Sequence, residues 1–589
     1  MSRFQRILIM AGAAILLMLP SRVLAQIVNT PNSGGIPPVA PVKNPCAPRF
    51  AAGSTVQNPP ALFSQNGVLN VRFSYQQTTD SHGRLLHCLM TDTGLQEPTL
   101  HVNPGDTLNI VVTNNTPKSK LGETFNPPNC GDATVQFTPP ANGIASVGSS
   151  LNIHYHGTNT TPQCGGDNVV RTLINSGSTF QYSFVFPTDE PPGLYWYHPH
   201  VHGLAERDLL GGATGALVVD GIQNVQPAVS GLRERIIVLR DQPQVQGLPE
   251  GGGNCGEDVP FQDISVNYVP IDSNATFDRS GNLTGITFTP AVLTMETNET
   301  QFWRVTNSVA DTIVDLQVLY DGVPQTMQIV GIDAVPVNSQ SGPQPGKLIN
   351  ATDYRLAVAG RVEFLIKAPG PNVKVAQLVT NNINTGPQGD CDPGRPIFNI
   401  ALTGDADPVK PTADDRVPGS TVLNTSQQKF GGLGNVKVSA NRVFQFSEIQ
   451  PSQFFITQVS AGQQPTVFDS NNPPAVVTTQ GAVEQWTIQN VAQENHEFHQ
   501  HQIHFQVMAQ NNYELNGNPS NTAMNGQFAD MIEVPFWDNV KNPNPSQVPA
   551  AVLLMDFRGM DVGQFVYHCH ILSHEDLGMM QIIQVNPGP

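Results

Sequence analysis

Two distant segments of this chain follow one pattern. Gly193-Leu194-Tyr195-Trp196-Tyr197-His198-Pro199-His200 and Gly563-Gln564-Phe565-Val566-Tyr567-His568-Cys569-His570 both read Gly-x-aromatic-x-Tyr-His-x-His. A motif present once in the first third of a chain and again near its end points to repeated domains. A looser repeat occurs three times, at His101 to Asn114 (HVNPGDTLNIVVTN), Leu293 to Asn307 (LTMETNETQFWRVTN) and Val476 to Asn490 (VVTTQGAVEQWTIQN). Each copy has a turn followed by apolar residues in alternation, the signature of half-buried antiparallel strands. Three copies spaced about 190 residues apart predict an all-β chain of three consecutive β-sandwich domains. The length agrees, since 589 residues exceed what a single core supports.

Composition fits turn-rich β structure: Gly 52, Pro 50 and only 13% charged residues. The net charge of −18 repels phosphate backbones and anionic lipid, so neither nucleic acid nor membrane is an expected partner. Arg3 and Arg6 precede an apolar run from Ile7 to Leu19, and Val23-Leu24-Ala25 offers small residues before Gln26. This pattern predicts a cleaved signal peptide over residues 1–25 and a periplasmic or secreted location. A Pro-rich lead-in follows over 26–60, and the three domains are expected at 61–222, 223–415 and 416–589. No later run reaches the ~18 to 20 apolar residues of a membrane span. Of seven cysteines, Cys569 lies between two histidines and is the candidate metal thiolate. Cys46, Cys88, Cys130, Cys164, Cys255 and Cys391 can form three disulfides in an oxidising compartment, in a pairing the sequence leaves open.

Ten of the fifteen histidines fall in four clusters: His154 and His156; His198 and His200; His496, His499 and His501; His568, His570 and His574. On a strand, residues i and i+2 share a face, so each His-x-His can offer two imidazoles to one side. The middle repeat has no His-x-His, which leaves the ligands to the outer domains. Imidazole suits copper, zinc and iron, whereas two histidines, a cysteine and a weak axial methionine make a blue copper site. Cys569, His574 and Met579 supply three of those groups and His496 the fourth. Structural zinc sites close with four ligands, so ten converging groups with one thiolate disfavour zinc. His202 and His504, beside the clusters, are expected to orient ligands by hydrogen bonding. His82, His87 and His101 lie outside every motif and read as ordinary strand or loop residues.

The motifs HYHG (154–157), YHPHVHG (197–203), HEFHQH (496–501) and HCHILSHEDLGMM (568–580) resemble the four copper signatures of three-domain multicopper oxidases, over roughly residues 60 to 587. That family includes laccases and cuprous oxidases. The resemblance implies cupredoxin-like Greek-key sandwiches and four coppers: one type 1, one type 2 and a type 3 pair. By it, type 1 copper takes His496, Cys569 and His574 with Met579 as axial partner, Met580 being the competing residue. Type 2 copper takes His154 and His499, and the type 3 pair takes His156, His198, His200, His501, His568 and His570. Glu575 and Asp167 match family acids implicated in proton delivery. Two positions depart from the pattern, Glu497 where many members have Pro and Gln502 where many have Gly. The implied activity is one-electron oxidation of a small reductant coupled to four-electron reduction of O2 to water, in a monomer with a low- to middle-potential type 1 site. A laccase-like phenolic or aromatic substrate is the first expectation. A cuprous or other metal-ion oxidase is the alternative, although 13 Met with no cluster beyond Met579-Met580 argue against specialised Cu(I) handling. A copper-free cupredoxin-fold scaffold is the alternative of another class, opposed by ten filled ligand positions.

Overall fold

A computed structural model describes residues 37–42, 46–118, 149–245, 259–341, 346–403, 416–419, 428–559 and 561–588. The expected signal peptide, the first part of the Pro-rich lead-in, Cys130 and Cys255 lie outside them.

The chain is all-β and forms three consecutive cupredoxin-like sandwiches. In the first, the sheet holding Val68–Thr79 and Thr107–Asn114 faces a five-stranded sheet that carries His154–His156 and Gly193–His198. The second packs an eight-stranded sheet around Thr300–Asn307 on a six-stranded one around Arg395–Thr403. The third packs a six-stranded sheet around Val483–Asn490 on a five-stranded one that carries His496–Gln500 and Gly563–Cys569.

The threefold repeat has a physical meaning that alternation alone understates. In each copy the short first strand (Thr99–Val102, Ala291–Glu296, Val476–Thr479) belongs to one sheet and the longer second strand to the other, so the turn crosses the sandwich edge. The expected purely antiparallel pairing is also corrected. Thr107–Asn114, Thr300–Asn307 and Val483–Asn490 each pair parallel with one neighbour and antiparallel with the other. A strand that enters its sheet from across the sandwich meets a neighbour running the same way, so these sheets are mixed. Alternation still sets the core: Leu108, Ile110 and Val112 point inward from Thr107–Asn114.

The cores are not equally separate. One apolar cluster runs without a break from the second sandwich, around Trp303, into the third, around Trp486. The first sandwich has its own cluster, to which the second contributes Ala334. Ala334 and Asp333 form a tight turn with φ of +67° and +44°, and that turn presses on the first residue of the strand Gly193–His198. A Cβ on Gly193 would lie 2.6 Å from Ala334 Cα and closer still to its carbonyl. The glycine of the duplicated motif is therefore a point of backbone contact between sandwiches.

Cys46 and Cys88 form a disulfide, and Cys164 and Cys391 are also disulfide-bonded. Among the described residues no helix is long and apolar enough to cross a membrane.

Gly193→Ala must push the Ala334 turn away or distort the histidine strand. We expect a loss of about 1–3 kcal/mol in denaturant unfolding, the usual range for overpacking a tight contact, where Gly370→Ala, with nothing near its Cβ position and no positive φ, tests the effect of a glycine substitution without a clash.

Candidate metal centres

The histidine strands pair so that ligands meet. His154 lies opposite His198 in the first sandwich, and His499 opposite His568 in the third. Phe498, not a histidine, lies opposite Cys569. Strand alternation then sorts the third sandwich: His496 and His499, three residues apart, face opposite sides, as do Cys569 and its flanking histidines. One side receives His499, His501, His568 and His570, which meet His154, His156, His198 and His200 of the first sandwich. The other receives His496 and Cys569.

All eight histidines of the first set are buried. His154 stacks on His501 with centroids 3.8 Å apart, and His156 on His499 at 4.0 Å. His568 Nε2 lies 3.2 Å from His200 Nε2 and 3.1 Å from His501 Nε2. Several rings are fixed from outside by their second nitrogen. His154 Nδ1 is 2.9 Å from both Asp167 oxygens, His499 Nδ1 is 2.9 Å from the Asp530 carbonyl, and His568 Nδ1 is 2.8 Å from the Cys569 carbonyl. The nitrogens left over are His154 Nε2, His156 Nδ1, His198 Nε2, His200 Nδ1, His499 Nε2, His501 Nδ1 and both of His570, and none has a hydrogen-bond partner. Orphaned buried polar atoms each cost about 1–3 kcal/mol, so this many in one place is the mark of a metal-binding pocket. Burial, reinforced by neighbouring rings, holds His154, His156, His499, His501 and His570 well below the usual histidine pKa, and brings His568 down to about 4. The rings are thus neutral donors, as metal ligation requires.

The second set is smaller. Cys569 Sγ lies 3.7 Å from His496 Nδ1 and 3.8 Å from His574 Nδ1, and the two nitrogens are 3.1 Å apart. His574 sits on the short helix Leu572–Asp576 and stacks on Phe454 at 4.4 Å. Burial pushes the Cys569 thiol well above its ordinary pKa, so a thiolate there calls for a cation beside it. Met579 packs in the same apolar cluster as Cys569, and its carbonyl accepts from the Cys569 N–H at 3.0 Å. Met580 belongs to a different cluster with Phe468 and Val566, on the opposite face. The outer nitrogens of this site meet carboxylates: His496 Nε2 is 3.7 Å from Glu448, and His574 Nε2 is 3.5 Å from Glu494. Gln450 Nε2 donates to both carboxylates, at 3.4 and 2.9 Å, tying them together.

The two unusual motif positions have roles the sequence did not disclose. Gln502 adopts φ +60°, where glycine is common, and its side-chain amide donates to Asp167 at 2.5 Å. It thereby fixes the carboxylate that fixes His154. Glu497 donates its backbone N–H to Cys569 Sγ at 3.3 Å, a bond that proline could not make.

The candidate acids both lie at the eight-histidine set. Burial raises Asp167 to about 7 against the hydrogen bonds from Tyr155 and Gln502. Glu575 is fully buried, 3.9 Å from His200 Nδ1 and 3.8 Å from His202 Nδ1. Burial raises its pKa, and His200, His202 and His568 lower it when they carry a proton. His504 donates toward the Asp333 carbonyl at 2.9 Å, whereas His87 is held by Asp208 at 2.7 Å and His101 by Asp220 at 3.1 Å, away from both sets.

Sequence reasoning missed the group beneath His156 and His499. Asp530 Oδ1 lies 3.2 Å from His156 Nε2. Arg361, from the sandwich without histidine ligands, donates through Nη1 to Asp530 Oδ1 at 2.6 Å and through Nη2 to Oδ2. Its Nε reaches the Leu194 carbonyl of the first sandwich at 3.3 Å. Gly157 lies over this pair, where a Cβ would come within 2.6 Å of Asp530 Oδ2. Nothing in a one-dimensional motif marks Arg361, which lies between the His200 and His496 clusters and close to neither in sequence, as part of the site.

Sheets of this kind joined by buried histidine and thiol ligands define a copper-binding oxidoreductase architecture. Multicopper oxidase family models match residues 142–224 and 435–589. The rice protein multicopper oxidase LPR1 homolog 1 is 24% identical over 504 residues, covering 77% of each chain. In structure, a multicopper oxidase from Campylobacter jejuni described as a metallo-oxidase superposes with a TM-score of 0.58 at 18% identity, covering 91% of this chain and 96% of the other. A laccase-like multicopper oxidase from Ochrobactrum sp. does so with a TM-score of 0.58 at 16% identity, covering 90% and 99%. Residues 142–224 and 435–589 are thus two multicopper oxidase domains.

Arg361→Met would leave the Asp530 carboxylate buried and unpaired. We expect it to destabilise the protein by about 3–5 kcal/mol, the range for breaking a buried pair from one side, and Asp530→Asn in the same chain to recover much of that loss. Chemical denaturation of the two single variants and the double variant gives the coupling directly.

Proposed function

We propose that the chain oxidises a low-valent transition-metal cation, one electron at a time, and passes four electrons to O2. The observation that carries the substrate class is the pair of carboxylates on the outer ring edges of His496 and His574. Their side chains are only 7% and 6% exposed, and burial and the neighbouring Glu448 push Glu494 up to about 11, so the pair holds one proton whose place a bound cation can take. Carboxylate oxygens are hard ligands, which favours Fe(II) or Mn(II) over the softer Cu(I). The balance is four cations each losing one electron, with O2 + 4 H+ + 4 e− giving two water molecules.

Four coppers fit the two sets: one held by His496, Cys569 and His574 with Met579, one by His154 and His499, and two by His156, His198, His200, His501, His568 and His570. Bound copper supplies the one-electron redox steps and the site at which O2 is reduced. The chain supplies the rest. Glu448 and Glu494 bind and orient the donor against the two imidazole edges. Cys569, flanked by His568 and His570, makes a short covalent path from the first site to the cluster. Asp167, locked by Gln502, keeps His154 Nε2 turned inward. Glu575 reaches two imidazoles of the cluster region and can take up a proton and hand it inward. The signal-peptide pattern of residues 1–25 supports a periplasmic or secreted setting for this activity.

A phenolic donor is the second reading. The Ochrobactrum relative is described as having oxidase activity towards lignin model compounds, and the Campylobacter relative as a metallo-oxidase. At such identities both share the fold alone, so the carboxylates of this chain carry the choice.

Copper-loaded protein should be blue and hold about four coppers, and Cys569→Ser should lose the colour. In the Glu448→Gln, Glu494→Gln double variant, KM for Fe(II) should rise about 30-fold, equal to ~2 kcal/mol, the low end for removing buried charge partners. Oxidation of a neutral phenol should stay within about twofold. A double variant that loses both activities equally, or a wild type that oxidises the phenol far better than Fe(II) or Mn(II), refutes the cation reading.

Glu575→Gln should keep colour, copper content and rapid anaerobic bleaching by the donor. Reoxidation by O2 should slow by ~10- to 1000-fold, the range of general acid–base contributions. Stopped-flow measurement of the two half-reactions checks this, and slow bleaching with normal reoxidation would place Glu575 on the donor side.

A further inference from the structure

A cavity of about 580 Å³ opens along the seam between the second and third sandwiches, and none of its lining residues belongs to either ligand set. Two sheet edges meet there: the eight-stranded sheet ends at Val335–Pro336 and the six-stranded sheet at Phe528–Ala529. The segment that precedes the strand Ala440–Ile449 supplies the third wall, with Phe430, Leu433 and the glycines 431, 432 and 434. A reciprocal pair fixes the seam. The Asn338 N–H donates to Gln527 Oε1 at 2.9 Å, and Gln527 Nε2 donates to Asn338 Oδ1 at 2.8 Å. Gln340 Oε1 accepts the Phe430 N–H at 3.1 Å and so holds the third wall in place. Phe430 and Phe528 stack at 4.7 Å and, with Leu433, make the apolar part of the lining. The glycines keep the space open: a Cβ on Gly432 or Gly434 would meet nothing within 4 Å.

The polar part of the lining is of one kind. Asn338, Gln340, Gln428, Asn435, Gln506 and Gln527 are all primary amides, and no charged side chain accompanies them. Lys429 turns to Asp189 at 3.4 Å, and Arg558, whose Nη1 donates to the Gly431 carbonyl at 3.2 Å, is paired with Asp556. Neither cation enters the wall. An ion would find no counter-charge here, and an apolar molecule would strip water from the amides without replacing its hydrogen bonds. An extended peptide is also disfavoured, because each sheet edge is two residues long and Pro336 has no N–H to donate. A sugar ring suits the whole lining. Its hydroxyls both donate and accept, as amides do, and an amide has capacity beyond the one bond that fixes it. Its C–H faces can bury against Phe430, Phe528 and Leu433. We propose that this cavity binds sugar units of an uncharged polysaccharide or glycan. The volume lies within the ~300–1,000 Å³ of ligand pockets. Such a site serves attachment to a carbohydrate surface, whatever the protein oxidises.

Isothermal titration calorimetry on the copper-loaded protein tests this with cellotetraose, maltotetraose, xylotetraose and mannotetraose. Tetragalacturonate is the charged counterpart, and acetyl-tetra-alanine amide the peptide one. At least one neutral sugar should bind with a Kd of about 1 mM or below, and tetragalacturonate about tenfold more weakly or not at all. Gly434 has no positive φ, so its backbone accepts a side chain. Gly434→Trp should fill the space and abolish binding, while Gly434→Ala keeps it. Gln506→Ala removes one amide and should weaken binding about fivefold. Copper content, colour and donor oxidation should be unchanged in all three variants. The proposal is overturned if none of the four neutral sugars binds, or if Gly434→Trp or Gln506→Ala binds as the wild type does. Tetragalacturonate or the peptide binding as tightly as the best neutral sugar would overturn it too.

Discussion

A guanidinium and a carboxylate, neither with any exposed side-chain surface, meet where the three sandwiches converge. Arg361 comes from the second, Asp530 from the third, and the Leu194 carbonyl that Arg361 also reaches from the first. Such a pair is a poor source of net stability, because desolvating both charges offsets most of their attraction. Its value lies in geometry. Asp530 holds His156 through its carboxylate and His499 through its carbonyl, one ligand from each outer sandwich. The Asp333 carboxylate in turn accepts the backbone N–H groups of Arg361, Asp530 and Met531. A ligand-free domain is thus the platform on which ligands from the other two are registered.

The chemistry is divided by direction around this platform. On the Cys569 side, Glu448 and Glu494 stand at the outer edges of the His496 and His574 rings. At the eight-histidine set, carboxylates stand beside imidazoles, Asp167 at His154 and Glu575 near His200. Strand alternation produces this division from local sequence: Cys569 adjoins His568 and His570, and Met579 adjoins Met580, yet each pair serves opposite faces.

What the sequence disclosed follows the same logic. The ligands were legible because their spacing is local: His-x-His on a strand and Cys569 between histidines allow few other readings. The three sandwiches were legible because their repeats carry turn residues at fixed offsets. The parallel pairings were not, because period-two alternation is the same for either strand direction. Arg361, Asp530, Glu448 and Glu494 could not be found that way, since each acts across sequence gaps that no motif spans. Glu494 is the instructive near miss, only two residues before His496, yet its role depends on where the His574 ring edge lands. Gln502 and Glu497 stood out as departures, and the structure shows that each departure adds a hydrogen bond: Gln502 to Asp167, Glu497 to the Cys569 sulfur.

The unbroken apolar cluster from the second sandwich into the third bears on how the molecule is assembled. Those two sandwiches share one core and so constitute a single cooperative folding unit, whereas the first can complete most of its own interior alone. A chain emerging from the ribosome would form the first sandwich early, with four histidines in place, and then wait until its last strands arrive. Only when the final β-strands close the shared core does the Arg361 platform exist and the second half of the ligand set come into register. Metal uptake is thereby coupled to completion of the chain: a truncated or stalled product cannot offer a full set of ligands, and so is spared from capturing a reactive ion it has no means to control.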